Sequence, residues 1–435
     1  MVVESLLETD KRVLWHPFTQ AARPELLLPV VNAYGSKLVL EDGHEIIDGI
    51  SSWWCCLHGH CHPYIAGAIA EQASTLDHVL FGGCTHEPAV RLAEELLYLL
   101  PPNHARIFYS DNGSTAVEVA LKMSIQFWSN LGERRTGVLA LENAYHGDTF
   151  GAMSVGHRGI FTAPFNDLLF DVTHLPTAAS PEGLELCRRL CAQGDVAAFI
   201  FEPSVQGAAG MQMYDGKVLE SYIEVCKSFG VLCIADEVMT GFGRTGPLFA
   251  SSALSLPPDM VCLSKGLTGG TLPLAVTSCT EEIYSAFVST DRSKTLFHGH
   301  TFTANPIACA AARASLKLTC AAECDAARAR IERSHRTFAE SLARRSDLRN
   351  VRVAGTILAF DLPALKTVDS KTGMHSVKNA LVASFVEAGV LLRPLGEVIY
   401  FMPPYCISEE ELTLSYRAIL LSLDGLGKIE PVLAS

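Results

Sequence analysis

The sequence predicts an α/β protein whose mostly parallel central sheet carries helices on its faces, joined to a smaller α+β unit. Three observations predict it. Five apolar runs of about five residues end abruptly in polar, chemically capable residues. Amphipathic helical patterns lie between them, and the two chain ends read differently from the middle. Short unbroken apolar runs are strands buried on both faces, and their alternation with helices makes neighbouring strands parallel.

In chain order, residues 28–50 resemble a meander with a Glu41-Asp42-Gly43 turn. The first run, Arg106–Ser110, leads into Asp111-Asn-Gly-Ser-Thr115. From Ala116 to Trp128, helical spacing puts Val117, Ala120, Leu121, Ser124 and Trp128 on one face. Gly137–Leu141 leads into Glu142-Asn-Ala-Tyr-His-Gly-Asp148, and Ala197–Phe201 ends at Glu202. Val231–Ala235 ends at Asp236-Glu237, and Met260–Ser264 ends at Lys265. Helices are expected over Leu184–Ala192 and Leu219–Phe229. Ala321–Arg345 reads as a long charged helix and Pro363–Ser376 as a surface loop. The expected division is a large unit over residues 60–320 and a small one built from residues 1–59 and 321–435. In such sheets ligands sit beyond the carboxyl ends of the strands, so the residues after the five runs should converge.

Composition narrows the class. At roughly 150 residues per domain, 435 residues suggest about three domains, and two large ones fit equally well. A chain 49% hydrophobic and 19% charged buries a sizeable core, which excludes a disordered chain, a collagen and a disulfide-stapled miniature. With 47 acidic against 34 basic residues, the net charge of −13 lacks the cation excess of a general nucleic-acid binder. The fourteen cysteines form no CxxC pair. Cys187 and Cys191 are spaced as helix neighbours, while Cys233 and Cys262 lie in apolar runs, so all four read as reduced, buried small hydrophobes. Glu4, Glu8 and Asp10 exclude a secretory signal, and no apolar run approaches the ~18 residues of a spanning helix. A reducing cytoplasm is the expected compartment, with no membrane partner.

Several motifs carry chemistry. Lys265 ends a buried strand before Gly266-Leu-Thr-Gly-Gly270. An amine there is easily depressed in pKa and can form a Schiff base, whereas a surface lysine opening a turn has the same local pattern. Asp236 also ends a buried strand; it either meets a cation such as a protonated pyridine nitrogen or caps a loop. Asp111–Thr115 places small residues at a helix start, as an anion site or an ordinary N-cap would. Gly241-Phe-Gly-Arg-Thr-Gly246 matches a dinucleotide fingerprint but starts five residues past its strand and precedes Pro247, not a helix. Cys55-Cys56-Leu-His58-Gly-His60-Cys61-His62 has zinc-compatible residues without a second cluster, so no metal is expected. The adjacent Trp53 and Trp54 cannot both face inward along an extended segment, which leaves one to line a pocket. Arg393 ends an apolar run, where it either clamps a carboxylate or lies on the surface.

Asp236-Glu-Val-Met-Thr-Gly-Phe-Gly-Arg-Thr-Gly246 followed by Ser264-Lys-Gly-Leu-Thr-Gly-Gly270 resembles the signature of the class III aminotransferases, enzymes of fold type I. Trp15-His-Pro-Phe-Thr19, Ser51-Ser-Trp-Trp54, Tyr145-His-Gly-Asp148 and His298-Gly-His-Thr-Phe302 are similar to the branch that aminates 8-amino-7-oxononanoate in biotin synthesis. The resemblance implies pyridoxal 5′-phosphate as cofactor, Lys265 as its Schiff-base lysine and proton carrier, and Asp236 as partner of the ring nitrogen. It implies that Gly113 and Ser114 bind the phosphate, helped by Thr301 and the His300 backbone from the second subunit of a homodimer. Tyr145 is implied to pack on the cofactor ring and face substrate. Phe18, Trp53, Trp54, Gly299 and Arg393 are implied to line the substrate pocket, with Arg393 on a carboxylate. The amino donor implied is S-adenosylmethionine or, as in some relatives, lysine. The sequence departs from the family at Phe18, commonly Tyr, and His300, commonly Pro, and Met239 replaces a residue that elsewhere bonds the ring's 3′ oxygen. Another class III ω-aminotransferase, acting on ornithine, 4-aminobutyrate or an ω-amino acid, is the nearest alternative, followed by a non-catalytic cofactor-binding protein.

Overall fold

The structure, a computed structural model, describes residues 5–22, 26–178, 180–365 and 374–433. Its strands in chain order begin with β1 (Val30–Tyr34), β2 (Lys37–Leu40), β3 (Glu45–Asp48), β4 (His104–Ser110), β5 (Gly137–Leu141) and β6 (Thr173–Leu175). There follow β7 (Val196–Phe201), β8 (Val205–Gln206), β9 (Gln212–Met213), β10 (Leu232–Asp236), β11 (Met260–Leu263) and β12 (Ala275–Thr280). The last four are β13 (Arg349–Ala354), β14 (Ile357–Asp361), β15 (Val390–Leu391) and β16 (Val398–Phe401).

The central sheet has seven strands in the order β4-β12-β11-β10-β7-β5-β6. Neighbours from β11 to β6 are parallel, and β12 alone runs antiparallel to both of its neighbours. All five apolar runs are strands of this sheet, and the expected helices span Gly113–Asn130, Pro181–Ala192 and Gly216–Ser228. Side chains alternate between two cores, as the pleat requires. Val138, Ala140, Ala198, Ile200, Ile234 and Cys262 pack with the helix Gly113–Asn130. Leu139, Leu141, Phe199, Phe201, Cys233, Ala235 and Leu263 belong to the larger cluster on the other face. β12 escaped the sequence reading because Ala275-Val-Thr-Ser-Cys-Thr280 looks polar. Its six residues are buried all the same, since Thr277 Oγ1 donates to Ala116 O at 2.8 Å and Ser278 Oγ to Val261 O at 3.3 Å.

The meander is present as β1-β2-β3, and β15, more than 340 residues later in sequence, adds to it in parallel by pairing Val390 with Ile47. β13, β14 and β16 form a separate antiparallel sheet under the charged helix Ala322–Leu342. Pro363–Ser376, expected as a surface loop, begins instead with a 3-10 turn over Pro363–Leu365 whose Leu365 is buried, and a helix starts at Met374. An apolar Leu365 is held by the core; the rest of that stretch, 366–373, lies outside the described residues. Among the described residues no helix is long and apolar enough to cross a membrane.

Gly49 sits where the two chain ends meet. A Cβ there would stand 2.7 Å from Leu392 Cδ2 and 2.8 Å from Leu391 O, closer than a backbone neighbour can tolerate. Gly49→Ala is expected to destabilise the protein by about 1–3 kcal/mol through overpacking. A lower urea midpoint checks this, and an unchanged one would show that the junction yields freely.

Candidate active site

Five chain segments leave the carboxyl edge of the central sheet and line one cavity of about 430 Å³. Its wall includes Asp111, Gly113, Ser114, Tyr145, His146, Glu202, Asp236, Met239 and Lys265. Asp236 is the last residue of β10, and β11 beside it ends two residues before Lys265. The parallel register therefore puts carboxylate and amine at the same end of adjacent strands.

Asp236 is almost completely buried and ordered by two donors. Val238 N donates to Oδ1 at 3.0 Å, and His146 Nδ1 lies 2.7 Å from Oδ2. His146 is itself buried, and its Nε2 has no hydrogen-bond partner among the described residues. Glu202, the residue after β7, accepts from Tyr145 N at 3.1 Å and Gly207 N at 3.0 Å. Burial pushes its carboxyl up to about 7, with Asp236 adding repulsion and His146 opposing. The Tyr145 hydroxyl donates to Asp148 Oδ2 at 2.9 Å, and burial raises its pKa.

Lys265 opens the 3-10 turn Lys265–Thr268 with φ 45°, a left-handed conformation rare for a side-chain-bearing residue. Its Nζ stands 4.9 Å from the ring centroid of Trp54. Burial lowers the amine's pKa, against the attraction of Asp236, Glu202 and Cys55. The turn closes through Gly270 at φ 83°, where a Cβ would lie 2.9 Å from the Cys55 carbonyl carbon and Cys56 N. Only glycine lets the lysine loop sit against the tryptophan segment.

The helix Gly113–Asn130 begins at the cavity with a capping box between Asn112 and Thr115. A Cβ on Gly113 would come 2.7 Å from Val238 Cγ1, so glycine keeps the helix start close to the β10 loop. Ser114 Oγ accepts from Asp148 N at 3.1 Å. A helix start with free N–H groups suits an anion, a buried carboxylate suits a protonated ring nitrogen, and a desolvated amine suits an aldehyde. These residues fit pyridoxal phosphate, and the buried His146, bonded through Nδ1 to Asp236 Oδ2, fits a carboxylate held at one end and engaged at the other.

Trp53 and Trp54 are not in an extended segment. Ser51, Ser52, Trp53 and Trp54 have φ of 49°, 45°, 70° and 77°, one left-handed turn. Such residues cost roughly 1–2 kcal/mol each, so the turn must be held from outside. Ser51 Oγ donates to Met402 O, Ser52 Oγ to Asp48 Oδ2, Trp54 Nε1 to Tyr400 OH, and Arg244 Nη2 to Trp54 O. Arg244, from the false dinucleotide motif, is buried and also donates to Pro403 O at 2.9 Å. Trp54 consequently faces the cavity while Trp53 lies outside it, with Phe18 at 5.6 Å between ring centroids and the Arg393 guanidinium 5.5 Å from its ring.

The cavity therefore gathers Gly113, Ser114, Tyr145, Trp54, Asp236 and Lys265 of the expected set, and not Phe18, Trp53, Arg393, Gly299, His300 or Thr301. The last three lie on a turn where His300 N donates to Thr303 Oγ1 at 3.1 Å, and Gly299 and Thr301 are exposed. Sequence reasoning missed His146, Glu202 and Cys55. Glu202 ended an apolar run as Asp236 did and was open to the same argument. His146 stands in the Tyr145–Asp148 motif, but its pairing with Asp236 was not readable there, because that partner lies 90 residues away in sequence. Cys55 reaches the wall through the left-handed turn, and its neighbour Cys56 lowers its thiol's pKa, with help from Arg244 and Lys265 against burial.

Residues 18–421 match the family model for "Aminotransferase class-III". The adenosylmethionine-8-amino-7-oxononanoate aminotransferase of Synechococcus elongatus is 48% identical, over 94% of this chain and 98% of that one. The crystal structure of the enzyme of the same name from Methanocaldococcus jannaschii superposes with a TM-score of 0.88 at 34% identity, over 95% of this chain and 98% of its own. An amine transaminase from an uncultivated Pseudomonas species, solved with PLP bound, superposes with a TM-score of 0.85 at 31% identity, over 94% and 98%.

The Glu202 proton makes stability pH-dependent. Its pKa is raised from 4.5 to about 7 in the fold, so across that window the folded chain holds a proton the unfolded chain has lost. Stability contributed by this group is full below about pH 4.5 and falls as pH rises towards 7. Glu202→Gln should flatten that part of the curve of urea midpoint against pH; an identical curve would place the titration elsewhere.

Proposed function

The chain belongs to the class III aminotransferases, and on that premise we propose that it converts 8-amino-7-oxononanoate to 7,8-diaminononanoate in biotin biosynthesis, with pyridoxal 5′-phosphate as cofactor. What carries the reading is the Lys265–Asp236 pair at one end of adjacent strands, in a chain whose relatives are named for that substrate. Bound there, pyridoxal phosphate supplies a protonated ring that absorbs the electron pair left when a proton leaves the amine-bearing carbon.

The chain's own residues divide the remaining work. Lys265 holds the cofactor through its amine and moves the proton at the reacting carbon, a task eased by its lowered pKa. Asp236 keeps the ring nitrogen protonated, and His146 and Val238 N fix that carboxylate in one orientation. Gly113 and Ser114 hold the phosphate at the helix start. Tyr145 covers the ring and faces substrate, with its hydroxyl tied to Asp148. Phe18, Trp53, Trp54, Gly299 and Arg393 shape the substrate pocket, and Arg393 receives a carboxylate.

The working form is a homodimer with shared sites, residues 60–320 forming the cofactor unit and residues 1–59 with 321–435 the smaller one. Gly299, His300 and Thr301 do not reach the cavity of their own chain, as residues serving a neighbour's site would not. Exposed Trp15, Ile160, Phe161, Phe297 and Phe302 supply apolar surface for a partner. The cytoplasm is the compartment, and S-adenosylmethionine or lysine is the donor. With Phe18, the pocket has no hydroxyl at that position to bond a donor's polar groups, which favours testing both donors.

Purified enzyme given 8-amino-7-oxononanoate with each donor should yield 7,8-diaminononanoate by mass spectrometry with one of them. Product from neither, but from ornithine or 4-aminobutyrate chemistry, would move the enzyme to another branch of the family. Lys265→Ala should lose the borohydride-reducible cofactor linkage and at least 10³-fold in turnover; an unchanged visible spectrum would count against Lys265. Asp236→Asn should retain much of its cofactor yet lose most turnover, because the ring proton matters at the transition state more than in binding. Normal turnover in that variant would refute the role.

A further inference from the structure

Outside the cavity, three thiols meet in one place. Cys187 and Cys191 stand one turn apart on the helix Pro181–Ala192, and Cys226 faces them from the helix Gly216–Ser228. Their Sγ atoms all lie within 4.8 Å of one another, with Cys187 Sγ and Cys226 Sγ 3.9 Å apart. The three residues are 0%, 2% and 0% exposed, and none is in a disulfide. Among the described residues this is the one group of three or more histidine, cysteine or acidic side chains whose ligand atoms converge so closely. It takes no part in the cavity around Lys265.

We infer that this trio is a binding site for a soft, thiophilic cation, with monovalent copper the ion it fits best. The donor set is sulfur alone, and soft sulfur ligands select soft ions over magnesium, calcium or manganese. Three sulfurs in a plane around an ion at about 2.3 Å would be about 4.0 Å apart, close to the Cys187–Cys226 separation. Structural zinc sites need a fourth ligand that joins the other three; Cys233 neighbours Cys226, but only Cys187, Cys191 and Cys226 lie mutually within 4.8 Å. Monovalent copper is satisfied by three sulfurs, and the apolar shell around the trio shuts out water that would favour harder ions. The two helices already hold the sulfurs together, so binding orders little that is not ordered before. Copper enters and remains monovalent: no electron is transferred, and each thiol that ligates as thiolate releases its proton to solvent.

The test uses the reduced, full-length holoenzyme under anaerobic conditions. Monovalent copper is added as its acetonitrile complex in competition with bathocuproine disulfonate, whose colour reports the copper the protein has not taken. The wild type should withhold one equivalent, and Cys226→Ser and Cys191→Ala should each weaken retention at least tenfold while aminotransferase turnover stays unchanged. X-ray absorption on the wild type alone, which needs no folded variant, should give three sulfurs at about 2.3 Å. No copper withheld, equal retention by wild type and both variants, or a first shell with nitrogen or oxygen would each overturn the site. Equal retention by the variants would implicate the exposed Cys61, Cys84, Cys320 and Cys406 instead.

Discussion

Everything at the carboxyl edge of the central sheet depends on keeping ionisable groups in a place that water barely reaches. Asp236, His146, Glu202 and Lys265 all face one cavity, and unpaired charge there would be costly. Paired groups and backbone donors resolve the conflict. Asp236 has His146 and Val238 N, Glu202 has two backbone N–H groups, and Glu202 also holds its proton more tightly than an exposed carboxyl. The amine of Lys265 is pulled both ways, by burial and by nearby negative charge, and burial dominates. A shielded amine beside a fixed carboxylate is the condition the family's chemistry needs.

That arrangement leans on parts of the chain far from the sheet. The left-handed turn Ser51–Trp54 carries Trp54 against Lys265, and it is conformationally uphill at four successive residues. Its carbonyl, hydroxyl and indole N–H groups are bonded by Arg244, Met402, Tyr400 and Asp48, which come from the loop after β10, the C-terminal strand region and the N-terminal meander. The β3–β15 pairing brings two of those regions together. Site geometry and the junction of the chain ends are therefore one construction, and strain in the turn is offset by bonds spanning most of the sequence.

Buried cysteines fall into two arrangements in this frame. Cys262 and Cys279 are ordinary small core residues on strands, and Cys233, also on a strand, neighbours Cys226. Cys187, Cys191 and Cys226 come from two helices and converge on each other, a pattern that apolar packing alone does not require. Spacing of four showed that Cys187 and Cys191 share a helix face; nothing in the sequence pointed to Cys226 as their neighbour.

Local facts were legible in the chain: which runs are dry strands, which stretches are amphipathic helices, and that Asp236 and Lys265 stand at strand ends. Those follow from periodicity and from the abrupt change at each strand's carboxyl end, both of which act over a few residues. Glu202 was equally readable by that rule. Tertiary structure decided what pairs across distance. It made the polar-looking β12 a buried antiparallel strand by satisfying its hydroxyls, turned Arg244 from a false nucleotide motif into a clamp on Trp54, and set His146 against Asp236. The reason is physical: a hydrogen bond between groups 90 or 190 residues apart leaves no trace in local spacing, because only the closed chain brings donor and acceptor together.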